Sequence, residues 1–133
     1  MEDSIFTQMI KGEIPCHKVY EDNWALAFMD IYPAQPGMVL VVSKTQVDHF
    51  MDLPDEAYQG LMMALKKVAQ RMHQVLPDKR VAVRIEGLDV AHAHIKVFPA
   101  GTPDEFHARQ DTTQEPDHDA LTQMAEQLKV EGN

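Results

Sequence analysis

Ala91-His92-Ala93-His94-Ile95-Lys96-Val97-Phe98-Pro99 is the stretch on which the reading of this chain turns. Side chains alternate along a strand, so Ala91, Ala93, Ile95 and Val97 share one face and form an ordinary packing surface. His92, His94, Lys96 and Phe98 share the other, with successive side chains about 7 Å apart, two rises of roughly 3.3 Å. Burying two imidazoles and an ammonium costs several kcal/mol unless each finds partners. Three readings of that face compete. It is a solvent-facing edge strand with incidental histidines, or a metal site built on His-x-His, or a site of nucleophilic catalysis by imidazole at phosphorus. A metal needs a third and often a fourth ligand, and no Cys, Asp or Glu stands at a matching short spacing, so the fold would have to recruit His49 or Asp89. In the third reading a neutral ring nitrogen attacks a phosphate and water later cleaves the phospho-histidine bond, while flanking cationic groups stabilise the oxygens. Spacing alone favours this reading only slightly.

Working outward, strand-like runs are expected at His17–Tyr20, Trp24–Met29, Met38–Val42, Arg80–Glu86 and Ala91–Phe98. Between the third and fourth, Tyr58, Leu61, Met62, Leu65, Val68, Ala69, Met72, Val75 and Leu76 recur at helical spacing over about five turns. Pro54 suits the first turn of that helix, Asp55 and Glu56 favour its positive end, and Pro77 stops it. The methionines read as core filler. A short helix from Ser4 to Lys11, closed by Gly12, precedes the first strand. Strands, one long helix, then two more strands imply an α+β fold with an antiparallel sheet.

The 133 residues carry 12 basic and 21 acidic side chains, a net charge of −9. That length fits one domain. The acidity argues against a nucleic-acid polymer as partner, which needs a basic footprint, but a small anion needs only a local cluster of donors. No apolar run approaches the ~20 residues of a membrane span, the start is acidic where a secretory signal is basic, and a single cysteine, Cys16, cannot pair within the chain. These features together suit the cytoplasm. Residues 101–133 hold eight acids against Arg109 and Lys129, which is −6 of the −9. We therefore expect a compact body over 1–100 and an acidic tail over 101–133. The tail reads as loop to residue 116, then as a short amphipathic helix from Asp117 to Val130 carrying Leu121, Met124, Ala125 and Leu128. His107 and His118 within it read as surface residues.

His92-Ala93-His94-Ile95-Lys96-Val97-Phe98-Pro99 resembles the signature of the histidine triad (HIT) superfamily, in its Hint-like branch, with the third histidine replaced by lysine. The resemblance extends backward through Ser4-Ile5-Phe6, Gly12-Glu13-Ile14-Pro15, Tyr20-Glu21-Asp22, Ala27-Phe28-Met29-Asp30-Ile31, Pro33, Pro36-Gly37, Leu40-Val41-Val42, Lys44 and Asp52-Leu53-Pro54-Asp55-Glu56. It covers roughly residues 3–99, in order.

The resemblance implies a five-stranded antiparallel sheet with one long and one short helix, usually in a homodimer. It implies a purine nucleotide hydrolase or nucleotidyl transferase that acts at the α-phosphate of nucleoside phosphoramidates or dinucleoside polyphosphates through a nucleotidyl-histidine. By position His94 is the nucleophile, His92 the supporting histidine, and Lys96 the altered third member. Asp30 matches the acid that holds the ribose hydroxyls, and Ile5, Phe6, Met9, Ile14, Phe28 and Ile31 match the apolar cleft for the base. Neither cofactor nor metal is implied. Core packing for the apolar residues, and turn capping before Pro33 for Asp30, are the competing accounts.

Several departures point the other way. A lysine ordinarily titrates near 10.4, so Lys96 can hold a phosphate oxygen but protonates a leaving group poorly at pH 7. Met38 and Gln46 stand where further histidines are common. Gly87-Leu88-Asp89-Val90 replaces a stretch that usually supplies a phosphate-binding hydroxyl, and Ile85 falls near the place of an Asn. Lys44 adds either positive potential or only a surface charge. These departures keep open a nucleotide-binding protein with weak or lost catalysis.

Overall fold

The computed structural model describes residues 2–130; Glu131, counted above among the acids of the tail, lies outside them. Five strands form one antiparallel sheet: β1 (Lys18–Glu21), β2 (Ala25–Met29), β3 (Val39–Ser43), β4 (Arg80–Arg84) and β5 (His94–Ala100), in the order β1-β2-β3-β5-β4. The helices among the described residues are α1 (Ile5–Ile10), α2 (Asp55–Val75), α3 (Pro103–His107) and α4 (His118–Leu128), with a 3-10 turn at Phe50–Asp52. The expected α+β architecture is present in full.

The central strands are buried on both faces, and their alternation divides the interior. Ala25, Ala27, Met29, Val39, Val41, Ile95 and Val97 face α2 and join Leu61, Ala64, Leu65, Val68 and Met72 in the main core. Leu26, Phe28, Leu40 and Val42 face the other way and pack with Phe6 of α1. Burying the Val, Leu, Ile, Phe and Met side chains among them contributes about 1.5–3 kcal/mol each. The second layer is thin, because α1 has only six residues, and that thinness leaves room for a cleft. Gly12 follows α1 with φ +80, a conformation that a side chain would strain.

Several boundaries differ from the sequence reading. Pro54 is the residue just before α2 rather than within its first turn, since its ψ of 149 is not helical. Tyr58 shares the apolar spacing of α2 yet is 39% exposed. β4 stops at Arg84, two residues early. β5 begins at His94, not Ala91, and runs on to Ala100. The ladder with β3 ends at the pair of Val39 with Val97, so at Pro99 β5 pairs only with β4, where a residue lacking an N–H is tolerated.

The tail differs most. Residues 101–116 are not all loop, because α3 begins at Pro103 with the Thr102 hydroxyl capping the Glu105 N–H at 3.1 Å. Beyond it α4 is no solvated appendage. Leu121, Ala125 and Leu128 are buried in the main core, and the Val130 N–H reaches the Val19 carbonyl at 3.0 Å.

Candidate functional site

The strand that should display both histidines is interrupted just before the second. The His92 N–H bonds the Val90 carbonyl at 2.8 Å and the Ala93 N–H bonds the Val47 carbonyl at 2.7 Å, so both residues lie in a bend ahead of β5. Even so, the two imidazoles stay on the same side of the sheet. Each meets the Phe6 ring edge-on, with centroids 5.6 Å away for His92 and 5.0 Å for His94. Lys96 follows on the same face of β5, opposite Leu40 on one side and Arg84 on the other. All three side chains are buried.

Their partners fix the protons. His92 Nε2 lies 2.6 Å from the Ser43 carbonyl, which can only accept, so Nε2 carries the hydrogen. His92 Nδ1 then accepts from the Ser4 hydroxyl at 2.5 Å, and Ser4 also caps α1 by accepting the Thr7 N–H at 3.0 Å. Burial holds the His92 ring below the ordinary histidine pKa; the Ser43 carbonyl partly offsets this and the neighbouring His94 adds to it. His94 Nδ1 donates to the His92 carbonyl at 2.6 Å, which in the neutral ring leaves the lone pair on Nε2. That nitrogen stands 3.4 Å from Asp89 Oδ1.

The Lys96 ammonium is enclosed by acceptors: Gln110 Oε1 at 2.8 Å, Asp89 Oδ2 at 3.0 Å and Glu86 Oε1 at 3.3 Å. For Asp89, burial pushes the carboxyl up, but the hydrogen bond and charge of Lys96, aided by His94, outweigh it and hold it below the usual range.

Beside this cluster opens a cavity of about 500 Å³. All seven residues expected at the base and ribose line it: Ile5, Phe6, Met9, Ile14, Phe28, Asp30 and Ile31. Asp30 is buried, and its Oδ1 accepts the Tyr32 N–H at 2.9 Å, which is the turn-capping role considered above. Its Oδ2 accepts from Gln110 Nε2 at 2.7 Å, and the same amide donates to the Tyr32 carbonyl at 2.8 Å. Gln110 therefore ties Asp30 to Lys96. Neither His94 nor Lys96 reaches the cavity wall, where Asp89, Val90 and Gln110 stand instead.

Sequence reasoning missed Ser4, Gln110 and the placement of Asp89. Ser4 carried a signal as a serine preceding an apolar helix, whereas a glutamine in an irregular tail carries none. Other flagged residues are structural. Met38 is fully buried against Phe98, and Gln46 pins α1 by accepting the Ser4 N–H at 3.1 Å and donating to the Glu2 carbonyl at 2.9 Å. Lys44 pairs with Glu21 at 2.8 Å. Among the described residues no three His, Cys, Asp or Glu side chains gather as a ligand set for a metal, and no helix is long and apolar enough to cross a membrane.

Comparison with known proteins gives concordant matches. An uncharacterised HIT-like protein of Methanocaldococcus jannaschii is 35% identical over 99 residues, spanning 71% of this chain and 77% of that one. The adenosine 5'-monophosphoramidase of Saccharomyces cerevisiae is 30% identical over 135 residues, spanning 97% of this chain and 84% of its own. Among solved structures, a Hit-like protein involved in cell-cycle regulation from Bartonella henselae superposes with a TM-score of 0.81 at 26% identity, covering 96% of this chain and 95% of the other. The HIT domain profile itself matches residues 11–102, and the chain thus belongs to the HIT domain family.

Proposed function

We propose that this chain is a purine nucleotide hydrolase or nucleotidyl transferase acting at the α-phosphate, with His94 as the nucleophile. The carrying observation is the hydrogen bond from His94 Nδ1 to the His92 carbonyl, which in the neutral ring leaves the Nε2 lone pair for attack beside a cavity of nucleotide size. A phosphoramidate is the favoured substrate class, since a relative across 97% of the chain is an adenosine 5'-monophosphoramidase; a dinucleoside polyphosphate is the other substrate class.

In the reaction, Nε2 forms a bond to phosphorus as the bond to the leaving nitrogen breaks, and that nitrogen takes up a proton from solvent. Water then attacks phosphorus, the bond to Nε2 breaks, and a mononucleotide departs with the loss of one proton. Lys96 stabilises the phosphate oxygens, and His92 holds the bend that aims His94. Asp30 receives the ribose hydroxyls, with the base among Ile5, Phe6, Met9, Ile14, Phe28 and Ile31. We place the protein in the cytoplasm as a homodimer, for which β4, the sheet edge with Val83 exposed, is the natural meeting edge.

The test is His94→Ala, assayed with adenosine and guanosine phosphoramidates and dinucleoside polyphosphates. Mononucleotide release should vanish while nucleotide binding survives, and wild type quenched in turnover should carry a nucleotide by mass spectrometry. Full activity in the variant would refute the assignment. A second reading, a binder with weak catalysis, draws on the three acceptors that already engage the Lys96 ammonium. Under it, Lys96→His raises turnover from a low wild-type value.

A further inference from the structure

We propose that the Asp89 carboxylate is a built-in competitor for the substrate's phosphate, seated where that phosphate must bind and displaced by it. This inference rests on the function proposed above and concerns access to the same site.

The geometry is that of an anion already in place. One Asp89 oxygen lies 3.4 Å from His94 Nε2 and the other 3.0 Å from Lys96 Nζ. Two oxygens of one anion, one facing a ring nitrogen and one held by an ammonium, reproduce what a phosphoryl group requires of these residues. Burial follows the same order. The side chains of His94 and Lys96 are 1% and 3% exposed, that of Asp89 is 50% exposed, and only Asp89 of the three lines the cavity. A ligand in the cavity meets the carboxylate before it meets the nucleophile.

The carboxylate is held lightly enough to leave. It sits in an irregular segment between β4 and β5, two residues after Gly87 at φ +70 and next to Leu88, which is 87% exposed. Besides Lys96 and His94, the hydrogen bonds of the Asp89 carboxylate among the described residues are local, to its own backbone N–H and to that of Val90 at 3.0 Å. When Asp89 swings out, Glu86 and Gln110 remain on Lys96, so the buried ammonium is never left bare. If Asp89 stayed, its charge would stand against the incoming phosphate at van der Waals distance, an unfavourable pairing beside the buried His94 and Lys96. The device discriminates. A free anion must win the position by charge alone, whereas a nucleotide also has the base and ribose contacts of the cleft.

The test compares wild type with Asp89→Asn by calorimetry, using inorganic phosphate, adenosine and AMP at one fixed ionic strength. Asp89→Ser serves as a second variant, and thermal melts establish that both fold. We expect phosphate and AMP to bind at least tenfold tighter to both variants and adenosine to bind them as it binds wild type. Adding Lys96→Met to Asp89→Asn should erase the gain. Unchanged or weaker phosphate and AMP binding in the variants overturns the inference, even where AMP binding to wild type upholds the nucleotide reading. Tighter phosphate binding, with neither adenosine nor AMP favoured over phosphate by any form, upholds the displaced anion and removes the nucleotide reading instead.

Discussion

Gln110→Ala isolates the link between the tail and the cleft. The amide makes three hydrogen bonds, to Asp30 at 2.7 Å, to the Tyr32 carbonyl at 2.8 Å and from Lys96 at 2.8 Å. Two involve charged groups, each contributing about 1.5–3 kcal/mol, and one is neutral at about 0.5–1.5, so the sum is on the order of 4–7 kcal/mol. The net loss should be much smaller. Gln110 stands on the wall of the cavity, so water can replace the lost amide. Asp30 keeps the Tyr32 N–H, and Lys96 keeps Asp89 and Glu86. We therefore expect about 1–2 kcal/mol lower stability in urea titrations. AMP affinity should fall about tenfold, equivalent to ~1.4 kcal/mol, because Asp30 loses the donor that orients it. Gln110→Glu should be worse on both counts, since it sets a carboxylate against Asp30. Wild-type AMP affinity and stability in Gln110→Ala would refute the claim that a tail residue holds the acid of the cleft.

Three further outcomes are expected. His92 is buried with its pKa held below that of a free histidine, so as pH falls below about 6.5 the unfolded chain takes up a proton that the folded state refuses. Urea midpoints should therefore drop between pH 7.5 and 5.5, and a folded His92→Gln variant should show a flatter profile; an identical slope would count against it. Ser4→Ala removes both the cap of α1 and the donor to His92 Nδ1, and should cost about 1–2 kcal/mol in thermal melts as well as lowering turnover, with Ser4→Thr retaining most of both. Gly60→Ala improves helix propensity by about 1 kcal/mol, yet its Cβ would meet Trp24 Cγ at 2.2 Å; overpacking of about 1–3 kcal/mol should prevail, read as a lower melting temperature and altered tryptophan fluorescence.

What could be read from the sequence was what periodicity encodes. α2 and the buried strands declare themselves because one face of each must meet the core, and every cleft residue named from the family pattern lines one cavity. The start of β5 was misplaced because Ala91–Ala93 keep the alternation of a strand, while the bonds to Val90 and Val47 that bend them away come from loops with no period. Thr102-Pro103-Asp104-Glu105 did contain a helix start, a capping threonine with Glu three residues on, overshadowed by the surrounding Gly and Pro. Gln110 was beyond reach. Its partner Asp30 lies 80 residues earlier, and no local pattern distinguishes that glutamine from Gln114.

The two anchors of the tail carry a consequence for how such a domain diversifies. Gln110 and α4 lie beyond the stretch 11–102 that matches the family profile, yet one reaches into the cleft and the other completes the core. Three apolar positions, Leu121, Ala125 and Leu128, meet the packing requirement of α4. Gln110 apart, the residues between α3 and α4 are exposed or half-buried and are released from packing duty. A lineage, or an engineer, can rewrite residues 111–116 around a fixed Gln110 as a replaceable selectivity module while the sheet and its histidines stay as they are.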